Sequence, residues 1–462
     1  MRRRSCNAGL LGAVGLLLVM GLAPPQAAAE SRLPTRTEQA PPDPDGARGF
    51  ETPPDGNAAG LFLPRLLLHP ARAAIQVATF PVKTLGGVLS STGLLQRMAW
   101  GLQRERYLIP VFAVDPSLGI NAGFRAAHGN PLHRGGCITY RVAYGGPTEQ
   151  VYAITFRSRD PYLTPERSGW SYHLSAHYEI IPEKHYFGRS NVSLRDRLTY
   201  YTRERYLFLG SLRYAPQRWM RWDVTVSAHR NQISPAEDLA DDQRSIEEVF
   251  HSERMAPGLY VDPQNIQAEI ALTLDNRNGQ GHPTAGGKAE GYLAYAWGTG
   301  PDLVDFVRYG GEGEYYLSPC TDHVLAMRIV GEEARTDITH PATGAYMPIK
   351  FTELPRLGGR STLRGYLQDR YRDNAAIMAT AEYRCRLSPL IETCLFADFG
   401  KVLPRLLDFD WHGIHRSWGG GLRFAGEDLF YFRLQVAASD EEWVFTGTLE
   451  PAFNREDRRE RR

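Results

Sequence analysis

Between positions 107 and 453 the chain breaks into about sixteen short segments in which apolar and polar residues alternate. "CITYRVAYG" (137–145), "RYLFLGSLRYA" (205–215), "KAEGYLAYAWG" (288–298) and "HVLAMRIVGEEA" (323–334) are examples. A period of two gives a strand one apolar and one polar face. Many of these segments are close to the length that crosses a bilayer when tilted, and Tyr, Phe and Trp recur at their ends, where membrane interfaces lie. The count is even, as a bacterial barrel requires. Tight connections fall near Ala215 and Pro216, at 318–321, 387–390 and 426–428; long ones fall at 182–203, 233–263, 337–373 and 400–415. Short turns on one side and long loops on the other are the asymmetry of an outer-membrane barrel. A soluble β-sandwich also has short strands but does not predict that parity. The expected fold is therefore all-β: a transmembrane barrel of about 16 antiparallel strands over 106–453, preceded by short amphipathic helices.

Composition is compatible with this. Mean hydropathy is −0.37, which an alternating barrel shares with soluble proteins. The net charge of +1 and the lack of a basic block outside the extreme C-terminus leave no nucleic-acid partner expected. Residues 1–29 read as a signal peptide: basic "MRRR", apolar "AGLLGAVGLLLVMGLA", then "QAAAE" with an Ala-x-Ala cleavage site. Residues 30–60 read as a Pro/Gly-rich linker with little to bury. In 61–105 apolar residues recur at helical spacing, broken at Pro81 and at Gly86 and Gly87. Two readings stand for it: a segment on the inner interface or at the barrel base, and helices packed on a soluble domain. Residues 454–462 are a charged tail. After the signal peptide no apolar run is long enough for a spanning helix.

Four cysteines follow the signal peptide: Cys137, Cys320, Cys385 and Cys394. Cys385 and Cys394 flank a turn around Pro389, and both a cross-strand disulfide and two free thiols are open, because register is not readable here. No nucleophile elbow, zinc-protease motif or phosphate loop is present. His412 and His415 have metal-like spacing without an accompanying cysteine or carboxylate set. No enzyme, metal or cofactor is expected.

"LGGRSTLRGY" (357–366) stands in the sixth long connection. "LRGY" after "LGG" resembles the Arg-Gly-aromatic signature of BamA/TamA-type outer-membrane barrels, the bacterial surface antigen family. "AEYRCRLSPLIETCLFADFGKV" (381–402) is similar to that family's next two strands, "YFGRSN" (186–191) to its Phe-Tyr-Gly-x-Gly-Asn segment, and "LDNRNGQGHPTAGG" (274–287) to its inner turn, through Asp275, Arg277, Pro283 and Gly286. The motifs occur in the family's order. The resemblance implies that the sixth loop folds into the lumen. Gly358 and Gly359 would shape it, Arg364 would pair with Glu382 and Asp398, Gly365 would allow a tight turn, and Tyr366 would pack on the wall. It further implies insertion or translocation of a protein or lipid substrate at the bacterial outer membrane, with membrane lipid and an unfolded outer-membrane or secreted protein as partners. A passive pore or structural barrel without a client is the alternative. The chain departs from the pattern at Ser190, where the family has glycine, and at Pro451, which interrupts the last strand before Phe453. The stretch 30–105 is too short and too rich in proline for a POTRA module.

Overall fold

The computed structural model describes residues 106–450, apart from 116–118, 130–135, 146–148, 159–168, 237–238, 253–254, 279–282, 301–303, 339–346, 389–390 and 426–430. The expected signal peptide, linker, helical segment and charged tail, with residues 451–453 of the expected barrel, lie outside the described residues.

In chain order the strands are β1 (Arg106–Asp115), β2 (Gly119–Gly129), β3 (Cys137–Gly145), β4 (Glu149–Arg157), β5 (Gly169–Tyr186), β6 (Thr199–Gln217), β7 (Met220–Pro235), β8 (Gln264–Asp275), β9 (Gly286–Gly298), β10 (Phe306–Cys320), β11 (His323–Arg335), β12 (Arg356–Leu357), β13 (Tyr371–Arg372), β14 (Ala375–Ser388), β15 (Ile391–Leu403), β16 (His415–Ala425), β17 (Tyr431–Ala438) and β18 (Trp443–Glu450). All but β12 and β13 form one closed antiparallel barrel, each strand beside its sequence neighbour. The ring has sixteen strands, and each contains one of the alternating segments. β12 and β13 make a separate two-stranded sheet in the connection between β11 and β14. The ring closes where β1 meets β18, through three register pairs among the described residues, Phe112 with Leu449 to Val114 with Gly447. β1 and β2, by contrast, pair over ten residues.

Two expectations about connections need correcting. Ala215 and Pro216 lie within β6, which runs on to Gln217. Proline lacks the ladder N–H and is tolerated at bulges, and the register shifts between Tyr214 and Gln217. Similar shifts bracket Pro182 in β5 and Pro319 in β10. These prolines thus bend strands and do not end them. The asymmetry of connections also fails over the first strands: 158–168, on the side of the tight turns, is longer than 146–148 on the other. From β5 onward the tightest connections, 218–219, 321–322 and 389–390, lie on the one side and the longest, 187–198, 236–263, 336–374 and 404–414, on the other, although 276–285 exceeds 299–305.

Alternation sorts the wall into two faces. In β6, Leu207, Leu209 and Ser211 are buried while Phe208 and Leu212 are exposed. The exposed row is the one that meets lipid. Aromatics mark its two edges. Trp170 and Tyr214 lie 4.6 Å apart, with Trp222 beside Tyr214, towards the tight-turn end. Trp418 and Trp443 lie 5.7 Å apart towards the other end. The apolar core sits inside the barrel, where Phe351, Leu357, Leu363, Tyr366 and Tyr371 from the β11–β14 connection pack against Tyr186 and Tyr201 on one side and Met378 and Val402 on another.

Candidate functional site

In β15 Asp398 is fully buried between Ala397 and Phe399, and Phe399 is exposed on the lipid row. Alternation therefore turns Asp398 inward. Thr380 is its cross-strand partner, and Glu382 with Phe396 is the next inward pair. Together they form a polar patch on the inner wall with one aromatic ring.

The connection of residues 336–374 lies against this patch. Gly358 and Gly359 have φ of +113° and +95°, which side-chain-bearing residues rarely adopt. They fold the chain back, so that Gly359 N–H reaches the Tyr366 carbonyl at 3.0 Å. Leu363 to Tyr366 is a second turn, closed by Tyr366 N–H to the Leu363 carbonyl at 3.1 Å. Gly365 sits in that turn, yet what it needs is space, since a Cβ there would lie 2.6 Å from the Ala438 carbonyl oxygen and 2.8 Å from the Ser417 side chain. The loop backbone runs flush against β16 and β17.

Arg364 then projects onto the patch. Its Nε donates to Asp398 Oδ2 at 2.9 Å, its Nη2 to Asp398 Oδ1 at 2.7 Å and its Nη1 to Glu382 Oε2 at 2.8 Å. The bidentate fork on Asp398 is a geometry that guanidinium permits and ammonium does not. The guanidinium also lies 3.4 Å from the centre of the Phe396 ring. Thr380 and Ser417 donate to the remaining lone pairs of Asp398, while Arg384 and Arg423 donate to Glu382. Burial alone would lower the affinity of Arg364 for its proton; the hydrogen bonds and charges of Asp398 and Glu382 raise it instead.

Further anchors were not read from the sequence. Asp369, fully buried and at φ +61°, receives Lys184 at 2.9 Å, Arg356 at 3.1 Å and Arg372 at 3.4 Å. Burial would raise its pKa, but Arg356, Lys184 and Arg372 hold it well below the usual carboxylate range. Glu353 takes His229 at 3.0 Å and Asn231 at 3.0 Å, and its carbonyl accepts from Arg308. Arg370 forks onto Glu441 at 2.7 and 2.8 Å, and Tyr366 donates to Asp440 at 2.5 Å. The signal that could have found these is the run "LQDRYRDN" (367–374), dense in charge directly after the arginine motif, with "SDEE" (439–442) as its acidic counterpart.

The segment resembling Phe-Tyr-Gly-x-Gly-Asn docks on the same connection. Gly188 has φ +91° and Ser190 φ +122°, so the glycine expected at 190 would be there for its backbone. Ser190 N–H bonds the Arg372 carbonyl at 2.9 Å, and Arg189 pairs with Asp373 at 2.7 Å. Ser190→Gly is expected to relieve this strain and stabilise the protein by about 1 kcal/mol; an unfolding midpoint at or below that of the wild type would show that the loop tolerates the serine without cost. Asp275 and Arg277 pair in the β8–β9 turn, with Arg277 Nε to Asp275 Oδ1 at 2.8 Å and Nη1 to Glu314 at 2.7 Å. Pro283 is buried there and Gly286 has φ +92°. This turn is far along the strands from Arg364 and is not part of its cluster.

Cys385 and Cys394 are both buried and are not bonded to each other. Cys385 pairs with Thr393 and Cys394 with Arg384, so the two cysteines are one residue out of register and face opposite sides of the sheet. His415 bonds the Asn191 carbonyl at 2.9 Å, and among the described residues no His, Cys, Asp and Glu group is placed to hold a metal.

A closed, even-numbered barrel with a lipid-facing apolar row, whose interior is occupied by one of its own connections, is an outer-membrane β-barrel of the plugged kind. Residues 130–442 match the model of the Omp85 superfamily domain, and the chain belongs to that superfamily of bacterial outer-membrane proteins. Its fold is similar to that of BamA from Haemophilus ducreyi lacking POTRA domains 1–3, at 16% identity and a TM-score of 0.53, over 75% of this chain and 70% of that one. CdiB from Acinetobacter baumannii (12% identity, TM-score 0.49, 75% and 60% covered) and CdiB from Escherichia coli (11%, 0.49, 74% and 62%) also align. Comparison with curated protein sequences returns no match.

Proposed function

We propose that this barrel, exported on its N-terminal signal peptide, inserts or translocates a protein client at the bacterial outer membrane. Arg364, Glu382 and Asp398 act as the lock of the interior loop. The observation that carries the reading is a mechanical one. The loop that holds Arg364 against the wall also holds the turn between β17 and β18. Ser439 Oγ donates to the Gly365 carbonyl at 2.7 Å, Tyr366 reaches Asp440 and Arg370 reaches Glu441. From that turn β18 runs directly to the seam with β1, which among the described residues has three pairs against ten between β1 and β2. A seam this short exposes unpaired N–H and C=O groups when it parts, and such an edge templates an incoming strand. The loop and the seam are thus tied by one set of contacts, and releasing one loosens the other.

The passive-pore reading fits less well. Asn191, in the β5–β6 connection, accepts from Val402 N–H at 3.0 Å and donates to the Gly413 carbonyl at 2.7 Å. β5 and β15 stand half-way round the ring from each other, so this connection crosses the mouth above the plug. The test is reconstitution of the full chain in lipid vesicles with an unfolded outer-membrane barrel as client. Faster folding of the client than in empty vesicles is expected, without steady conductance in planar bilayers. Steady conductance with no effect on client folding would replace this reading by the pore.

A further inference from the structure

The β15–β16 connection, residues 404–414, does not stand up from the barrel; it lies down its outside. Glu333 faces outward on β11, in the same alternating row as the exposed Met327 and Ile329, yet is 2% exposed. What covers it is this connection: Leu406 N–H donates to Glu333 Oε2 at 2.8 Å, and the Leu406 side chain reaches 4.0 Å from the Cβ position of Gly331, two residues lower in the row. Lys401, two residues above Phe399 on the outward face of β15, is held likewise, by Asp410 at 2.6 Å and the His412 carbonyl at 2.7 Å. Ala375 and Leu403, paired with each other on the same face, are buried as well.

The side of the connection turned away from the barrel carries two exposed large apolar side chains among the exposed Arg405, Asp408, Asp410 and His412. Leu407 and Trp411 are each 81% exposed, and Phe409 braces Trp411 edge-on at 5.1 Å. Their level is set by the contacts behind them. Trp418, Ala438 and Trp443 share one row with Ala397; Phe399 is the next outward residue up β15, and Lys401 the next above that. Asp410 sits at Lys401, so Trp411 lies just above the aromatic row that borders the lipid-facing belt. Tryptophan concentrates at this level because its ring is apolar and its N–H remains hydrated.

We propose that residues 404–414 are a lipid anchor, a flap whose Leu407 and Trp411 seat in the outer interface of the membrane beside β11, β14 and β15. The occupant is lipid because the surface is continuous with the lipid-facing row below it, through Phe399, Leu395 and Ile329. Asp410 reaches back to Lys401 and the Leu406 N–H to Glu333, while Arg405, Asp408 and His412 stay exposed beside Leu407 and Trp411, a mix of apolar and hydrated groups suited to an interface. The flap also shields an ammonium and a carboxylate from that membrane, where bare charges are costly. This inference does not rest on the client reading above, since it concerns how the barrel sits in any bilayer.

The test uses the full chain with Leu407→Cys, labelled with a polarity-sensitive fluorophore and reconstituted in phosphatidylcholine vesicles brominated near the headgroup end of the acyl chains. Val192→Cys, at a position 80% exposed on the connection that crosses the mouth, is the comparison; signal from the native thiols is subtracted with labelled parent protein. Both sites are exposed, so the fold is retained, and the heat-modifiable band verifies it. Bromolipid is expected to quench the label at 407, and aqueous iodide to quench it severalfold less than at 192. Equal iodide quenching at the two sites would overturn the anchor. Protection from both quenchers would overturn it too, by showing a protein in the place assigned to lipid.

Discussion

Arg364→Ala is expected to destabilise the barrel by about 3–5 kcal/mol, the loss that follows when one partner of a buried ion pair is removed. Asp398 is fully buried and Glu382 nearly so. Without the guanidinium, Asp398 keeps Thr380, Ser417 and the loop backbone as its donors among the described residues. Glu382 retains Arg384 and Arg423, so the larger share of the loss falls on Asp398. The measurement is the temperature at which the folded band disappears on a cold gel, with protease cleavage within 336–374 as a second readout. Arg364→Lys should recover little, because an ammonium cannot fork onto Asp398 and stack on Phe396 together. An unchanged midpoint in Arg364→Ala would return the arginine to the status of an ordinary loop residue.

Asp369→Asn should cost a comparable amount, about 3–5 kcal/mol, by leaving three cations buried together. Lys184, Arg356 and Arg372 converge on one carboxylate, and an amide supplies neither the charge nor enough acceptors. The linkage has a definite sign. The folded pKa of Asp369 lies below its unfolded value, so its stabilisation is complete above the ordinary aspartate range, about 3.9, and is lost only as pH falls below it. Wild-type protection of 336–374 from protease is therefore expected to be the same at pH 7 and pH 5. In Asp369→Asn cleavage should be faster at both. Cleavage of the wild type that rises between pH 7 and 5 would mean that another group controls docking.

The strands were legible because their cause is local. A residue's face is set by its immediate neighbours, so the sixteen segments could be located without knowing what they pair with. The trio of Arg364, Glu382 and Asp398 comes from the resemblance of ordered motifs; without it, nothing in the spacing distinguishes Arg364 from a solvated loop arginine. The cysteines show where local reading stops. Their symmetry about Pro389 suggested a bridge, but a shift of one residue in register put them on opposite faces, and register belongs to the pair of strands. The prolines at 216 and 319 read as turns for the same reason: whether a proline ends a strand or bulges it depends on what its neighbour can leave unpaired.

What the sequence determined by itself is thus the barrel and its strand number, which follow from short-range pattern, while the arginine loop was marked by the resemblance of ordered motifs. What the tertiary structure decided is which distant residues meet. Lys184 and Asp369, Arg370 and Glu441, and Glu333 and the 404–414 flap are far apart along the chain. They come together only when the ring closes with one register and a loop enters it. The sum of every strand's register sets those distances, and no single segment carries that information.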